Sequence, residues 1–182
     1  TRFYGTNLPA NSEKEKHCGK GAFLLVVVKD NYPIYEPRIT TRGKENVNIN
    51  MFDSKCKYRS WTGGGHKIHA TNTPVEFNHD ITLLLGVNCN DFLNLFLLDN
   101  HKETKTIRQD IIGANGWKSI EKLFYVLNNT VRYVVLRGVS GIETANYIDH
   151  TDTDILTDDY TNFWLIANGK PCRSKIRPKE RI

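Results

Sequence analysis

An apolar, β-branched run at residues 131–136, VRYVVL, is followed by a glycine-bearing turn and then by the alternating stretch Thr151, Asp152, Thr153, Asp154, Ile155, Leu156. The first run reads as a buried strand, because β-branched and aromatic side chains pack well on a pleated surface. The second reads as a strand returning after Arg137, Gly138, Val139, Ser140 and Gly141 have turned the chain. Side chains two residues apart on a strand share a face and lie about 7 Å apart. Asp152 and Asp154 therefore point the same way and can grip one divalent cation between them, or two side by side. The same carboxylates, with Asp149, Asp158 and Asp159, also fit a solvated acidic loop. A calcium loop of the EF-hand kind is excluded: counting from Asp152 puts Thr157 where glycine is required and Phe163 where a bidentate glutamate belongs.

Strand, glycine turn, intervening segment and D-x-D strand together resemble the core of the DNA polymerase beta type nucleotidyltransferase superfamily, over residues 117–167. The resemblance implies that Asp152 and Asp154 hold magnesium or manganese ions bridging a triphosphate, with Arg137, Gly138, Ser140 and Gly141 near the phosphates. In that superfamily the turn is usually Gly-Gly or Gly-Ser; here the serine is displaced by one position. A third carboxylate on a later strand is expected past Ile182, so the core is read as truncated. In-line displacement at phosphorus needs little beyond metal, positioning and charge neutralisation. Stretches similar to YVVLRG and DTDIL occur in proteins of glycan and cell-surface assembly, which makes a sugar or sugar phosphate an expected acceptor. A glycosyltransferase that chelates a nucleotide sugar through the same D-x-D pair is the alternative reading. A non-catalytic binding module with a degenerate site is a third.

Residues 62–86, TGGGHKIHATNTPVEFNHDITLLLG, carry a second constellation. Thr73 is an N-cap, Pro74 fills the first turn, Glu76 completes a capping box and Gly86 closes the C-terminus, so a helix is expected between them. Phe77, Ile81, Leu84 and Leu85 would form its apolar stripe. Upstream, Gly63, Gly64 and Gly65 let backbone approach an anionic ligand, with Arg59 and Lys67 close in sequence. His69 follows. A nucleophilic imidazole must be near neutral, oriented by a carboxylate or carbonyl and faced by cations, and all three ingredients occur nearby. Ordinary surface roles for His66, His69 and His79, or a zinc site built from them, are the competing readings.

Residues 68–73 resemble the active-site stretch of the C-terminal half of nucleoside diphosphate kinases, within a similarity spanning residues 23–85. This implies that His69 accepts phosphate, Thr71 is the following hydroxyl, Asp80 orients the histidine and Arg59 binds phosphate. Shared ancestry with altered chemistry is equally compatible with it.

The 182 residues and 39% hydrophobic content suffice for one ordinary domain or two small ones. The expected class is α/β (α+β): a ferredoxin-like, nucleoside-diphosphate-kinase-like module at 1–98, a charged linker at 99–116 and a nucleotidyltransferase-like mixed-sheet core at 117–182. Residues 23–28, FLLVVV, read as a strand buried on both faces. No apolar run approaches the roughly 18 residues of a membrane span, and a cytoplasmic protein is expected. The net charge of +5 suits nucleotide phosphates, while no zinc-finger or RNP-like pattern points to nucleic acid. Cys18, Cys56, Cys89 and Cys172 lack metal-ligand spacing and are expected to be reduced. The first residue is Thr1 rather than Met, which reads as a trimmed or excised N-terminus.

Overall fold

Polar side chains start nearly every helix of this α+β chain, and their placement explains where the elements lie. The computed structural model describes residues 2–5, 8–19, 21–96, 104–137 and 153–169, and it divides into two compact units. One runs from Asn7 to Ile112; the other comprises Gly113–Ile182 together with Thr1–Thr6. The N-terminal residues thus belong with the C-terminal unit, and the division falls between Ile112 and Gly113.

In the first unit, Ser12 caps a short helix, α1 (Glu13–Cys18), by accepting from Glu15 N. Two antiparallel strands follow, β1 (Tyr35–Thr40) and β2 (Gly43–Asn48), in register from Tyr35↔Asn48 to Thr40↔Gly43. Asn48 ends β2 and starts α2 (Ile49–Trp61), its side-chain oxygen accepting from Asn50 N at 3.0 Å. Its amide nitrogen donates to Asp30 Oδ2 at 2.9 Å, tying the approach to β1 onto the start of α2. α3 (Pro74–Leu85) and α4 (Cys89–Phe96) complete the unit. Val47, Ile81, Leu83 and Phe92 form its buried apolar set, with the rings of Phe77 and Phe92 edge to face at 6.3 Å.

The second unit is built from α5 (Ile120–Thr130), β3 (Tyr133–Arg137), β4 (Asp154–Thr157) and α6 (Tyr160–Ala167). Ser119 caps α5 and Asp159 caps α6, while Asn168 closes α6 at φ 60°. β3 and β4 pair antiparallel, with an irregularity between Val135 and Arg137 that sets Arg137 opposite Asp154. Val126, Leu127 and Ile166 are buried, and Trp117 Nε1 donates to Ile166 O at 3.2 Å. Arg2 Nε donates to Leu165 O at 3.0 Å, which attaches the N-terminal residues to α6.

Several expectations are corrected here. Residues 23–28 are neither a strand nor buried: Phe23 is 71% and Leu24 75% exposed. A buried strand needs a neighbour for its amides and carbonyls and a second layer over its side chains, and among the described residues both sheets stop at two strands. Both described sheets are antiparallel, so a mixed sheet is not seen among these residues. Residues 49–61, for which the sequence announced no helix, form α2. The expected stripe of α3 omitted Leu83, which is 0% exposed because the stretch before Gly113 returns over it: Ile112 N donates to Leu83 O at 2.8 Å and Gln109 Nε2 to Leu84 O at 2.7 Å. Cys18, Cys56 and Cys89 are free thiols. Among the described residues no helix is long and apolar enough to cross a membrane.

Candidate phosphate-handling site

The first candidate site grows from the end of α2. That helix stops at Thr62, whose hydroxyl donates to the carbonyls of Tyr58 and Arg59 at 3.1 Å each. Gly63, Gly64 and Gly65 follow with φ of 82°, 81° and 74°, a left-handed run that side chains rarely tolerate. The loop closes on the helix rather than standing open: Gly64 N donates to Arg59 O at 2.6 Å and Lys67 Nζ to Thr62 O at 2.8 Å. A lysine there complements the electron-rich carbonyl end of α2. Gly65 abuts the His17 ring so closely that an added Cβ would fall 2.7 Å from Nδ1. The His17 and His66 rings lie 5.8 Å apart, and Cys18 Sγ donates to His66 O at 3.3 Å. Burial first, and then the charges of Arg59, Lys14 and His17, lower the His66 pKa from its ordinary 6.5.

Arg59 reaches forward from α2, donating through Nε to Ile68 O at 2.8 Å. Its terminal guanidinium nitrogens have no protein partner among the described residues. The next residue, His69, is exposed, and its Nε2 lies 2.8 Å from Asp80 Oδ2. The second oxygen of Asp80 lies 3.0 Å from His79 Nδ1. A carboxylate can only accept, so both imidazoles donate to it, and in neutral His69 the lone pair resides on Nδ1. Burial alone would raise the Asp80 pKa, but the hydrogen bonds from His69 and His79 outweigh it and hold the carboxyl below its ordinary 3.8. Asp80 can therefore stabilise positive charge on His69 as that ring acquires a substituent.

Thr73 starts α3 as expected, its hydroxyl accepting from Glu76 N at 3.1 Å. Glu76 does not return the bond to Thr73; its Oε2 accepts from Asn72 N at 2.6 Å and its Oε1 pairs with Arg42. Sequence reasoning missed Asn72 and Lys55, which are 7% and 8% exposed and joined by a 2.6 Å hydrogen bond. No pattern announced them, since a lysine on a helix without apolar periodicity reads as solvated.

The second candidate site lies on β3 and β4. Arg137, expected near phosphate, and Asp154, expected on a metal, are paired with each other through Nε and Oδ2. Asp152, Gly138, Ser140 and Gly141 lie outside the described residues. Among the described residues no group of three or more His, Cys, Asp or Glu side chains could hold a metal ion. Asp154, with one oxygen taken by a guanidinium, does not by itself fit a divalent cation. No family model matches this chain, and comparison with curated proteins and with solved structures gives no significant match.

Proposed function

We propose that this chain transfers a phosphoryl group from a nucleoside triphosphate by way of His69. The observation that carries the reading is the 2.8 Å contact between His69 Nε2 and Asp80 Oδ2, which assigns the lone pair to Nδ1 of an exposed ring. In the step it supports, Nδ1 attacks the terminal phosphorus. The N–P bond forms as the bridging P–O bond breaks, and the nucleoside diphosphate leaves with the electron pair. The Nε2 proton stays shared with Asp80, which offsets the charge gained by the ring. The guanidinium of Arg59, anchored beside His69 through Ile68 O, supplies positive charge for the transferred group. An acceptor oxygen then attacks the phosphorus and releases His69; the similarity of YVVLRG and DTDIL, within residues 133–156, to glycan-assembly proteins makes a sugar or sugar phosphate the acceptor to try first.

The test is incubation with a nucleoside triphosphate radiolabelled on the terminal phosphate. Acid-labile, alkali-stable label on wild type and none on His69→Ala is expected. Label on His69→Ala, or none on wild type, overturns the reading.

A nucleotidyl transferase using Asp152 and Asp154 is the second reading; it rests on the resemblance of residues 117–167, and the β3–β4 register puts Arg137, the residue before Gly138, against Asp154. A magnesium or manganese ion, if bound there, would have to displace that guanidinium, and no step is derived through it. Calorimetry with manganese separates the readings. Binding that Arg137→Met tightens and Asp154→Asn removes supports the metal site; no binding to wild type or Arg137→Met removes it.

A further inference from the structure

We infer that Lys55 is a positioning residue for His69: from α2 it grips Asn72 on one side of the imidazole while Arg59 grips Ile68 on the other, so the two cations clamp the segment that presents the ring. The inference rests on the reading of His69 as the phosphate-accepting group.

Lysine is seldom buried, because an ammonium loses its hydration on leaving water. Lys55 is 8% exposed, and its Nζ stands 4.9 Å from the centre of the Phe52 ring. Among the described residues no carboxylate neutralises it at ion-pair distance; it donates to the neutral Asn72 Oδ1 at 2.6 Å. Glu76, the nearby acid, is committed elsewhere, to Asn72 N and to Arg42. An apolar residue of similar length would fill the same space without the desolvation cost, so the ammonium is best explained by what it holds.

What it holds is a residue fixed from three sides. The side-chain oxygen of Asn72 belongs to Lys55, its N–H to Glu76 on α3, and its carbonyl accepts from Asn48 N at 2.9 Å at the end of β2. Upstream, Arg59 Nε takes Ile68 O at 2.8 Å. His69 lies between these two anchors, which fixes where its backbone emerges relative to Asp80 on α3. Releasing one anchor leaves Asp80 in place but lets the ring drift from it. Displacements of about 1 Å in a reacting group can cost on the order of a hundredfold in rate. Burial first, and then Arg59, lower the Lys55 pKa from 10.5, as expected for an ammonium held away from water for its geometry.

Lys55→Met keeps the apolar stem and removes the donor; Asn72→Asp keeps an acceptor for Lys55, and Asn72→Leu removes the acceptor should Lys55→Met fail to fold. Folding is checked by circular dichroism and thermal unfolding. Single-turnover phosphate uptake from radiolabelled nucleoside triphosphate is the first readout. Lys55→Met and Asn72→Leu should lower the saturated rate at least about tenfold with half-saturation unchanged, and Asn72→Asp should stay within about threefold of wild type. The second readout is the imidazole 15N spectrum, which needs no activity. His69 should hold one tautomer in wild type and Asn72→Asp and become a mixture in Lys55→Met and Asn72→Leu, with His79 unchanged. A folded Lys55→Met with wild-type rate and tautomer overturns the inference, as does a loss confined to half-saturation, which would make Lys55 a nucleotide ligand. No phosphate uptake by wild type removes the proposed function alone, and the tautomer comparison still decides whether Lys55 positions His69.

Discussion

His69 Nε2 and Asp80 Oδ2 are 2.8 Å apart, an imidazole on a loop and a carboxylate on the middle turns of α3 brought together by the Thr73 cap between them. The acid is largely shielded and the base exposed, with side-chain exposures of 14% and 42%. Asp80 therefore belongs to the scaffold and His69 to the solvent side.

From that asymmetry, Asp80→Asn should keep the fold and slow phosphate uptake on His69 by on the order of a hundredfold, since an amide cannot balance the charge of a substituted imidazolium. His69→Ala should abolish uptake outright. Quench-flow with acid-labile label measures both.

The Asp80 carboxyl has a folded pKa below its ordinary 3.8, so the unfolded chain binds more protons in acid. Its contribution to stability is complete above 3.8 and is lost as pH falls through the lower folded value. Urea midpoints followed from pH 6 down to about pH 3 should fall more steeply for wild type than for Asp80→Asn. Parallel curves would deny the carboxyl this role.

Lys55 acts in the same sense at the alkaline end. Its folded pKa lies below 10.5, so between that value and 10.5 the unfolded chain again binds more protons and stability rises with pH. Wild type should gain stability toward pH 10 relative to Lys55→Met. An unchanged difference between the two across that range would contradict the burial of a charged amine.

Gly64 and Gly65 share positive φ but differ in surroundings. Around Gly64 an added Cβ meets nothing within 4 Å, so Gly64→Ala should cost only the backbone strain, about 1–2 kcal/mol. Gly65→Ala carries the same strain and also drives a methyl to 2.7 Å from His17 Nδ1, so it should cost more and disturb the His17 resonance in NMR. Equal costs would mean that His17 moves aside freely.

Leu83 and Leu127 are 0% and 1% exposed in separate units. Each replacement by alanine should destabilise its own unit by about 2–5 kcal/mol, read in chemical denaturation by tryptophan fluorescence and far-ultraviolet dichroism. Trp61 and Trp117, one in each unit, help separate the two transitions.

Legibility followed locality. α3 was readable because its boundaries are written next to it: Thr73, Pro74 and Gly86. α2 was not readable, since its start depends on Asn48 serving both β2 and the helix and its buried side is a lysine rather than an apolar stripe. Residues 23–28 misled because composition announces a preference for strand but cannot supply the neighbouring strand. The candidate site was half legible: His69, Asp80 and Arg59 could be named from spacing and resemblance, whereas the Lys55–Asn72 anchor joins residues 17 apart through a buried hydrogen bond. Arg137 and Asp154 were both foreseen, but in separate roles, because register across a sheet cannot be read from either strand by itself.

The exposure of residues 23–28 also governs how the purified protein should be handled. Six apolar side chains in a row, uncovered, attract their counterparts on other molecules, while the net charge of +5 pushes copies apart. The repulsion acts over a screening length of about 10 Å at 0.1 M salt and about 3 Å at 1 M, whereas the apolar attraction does not fade with salt. Shelf life should accordingly be longest in dilute buffer of low ionic strength, held well below the isoelectric point, and sulfate or phosphate used as a precipitant should bring the chain out of solution early.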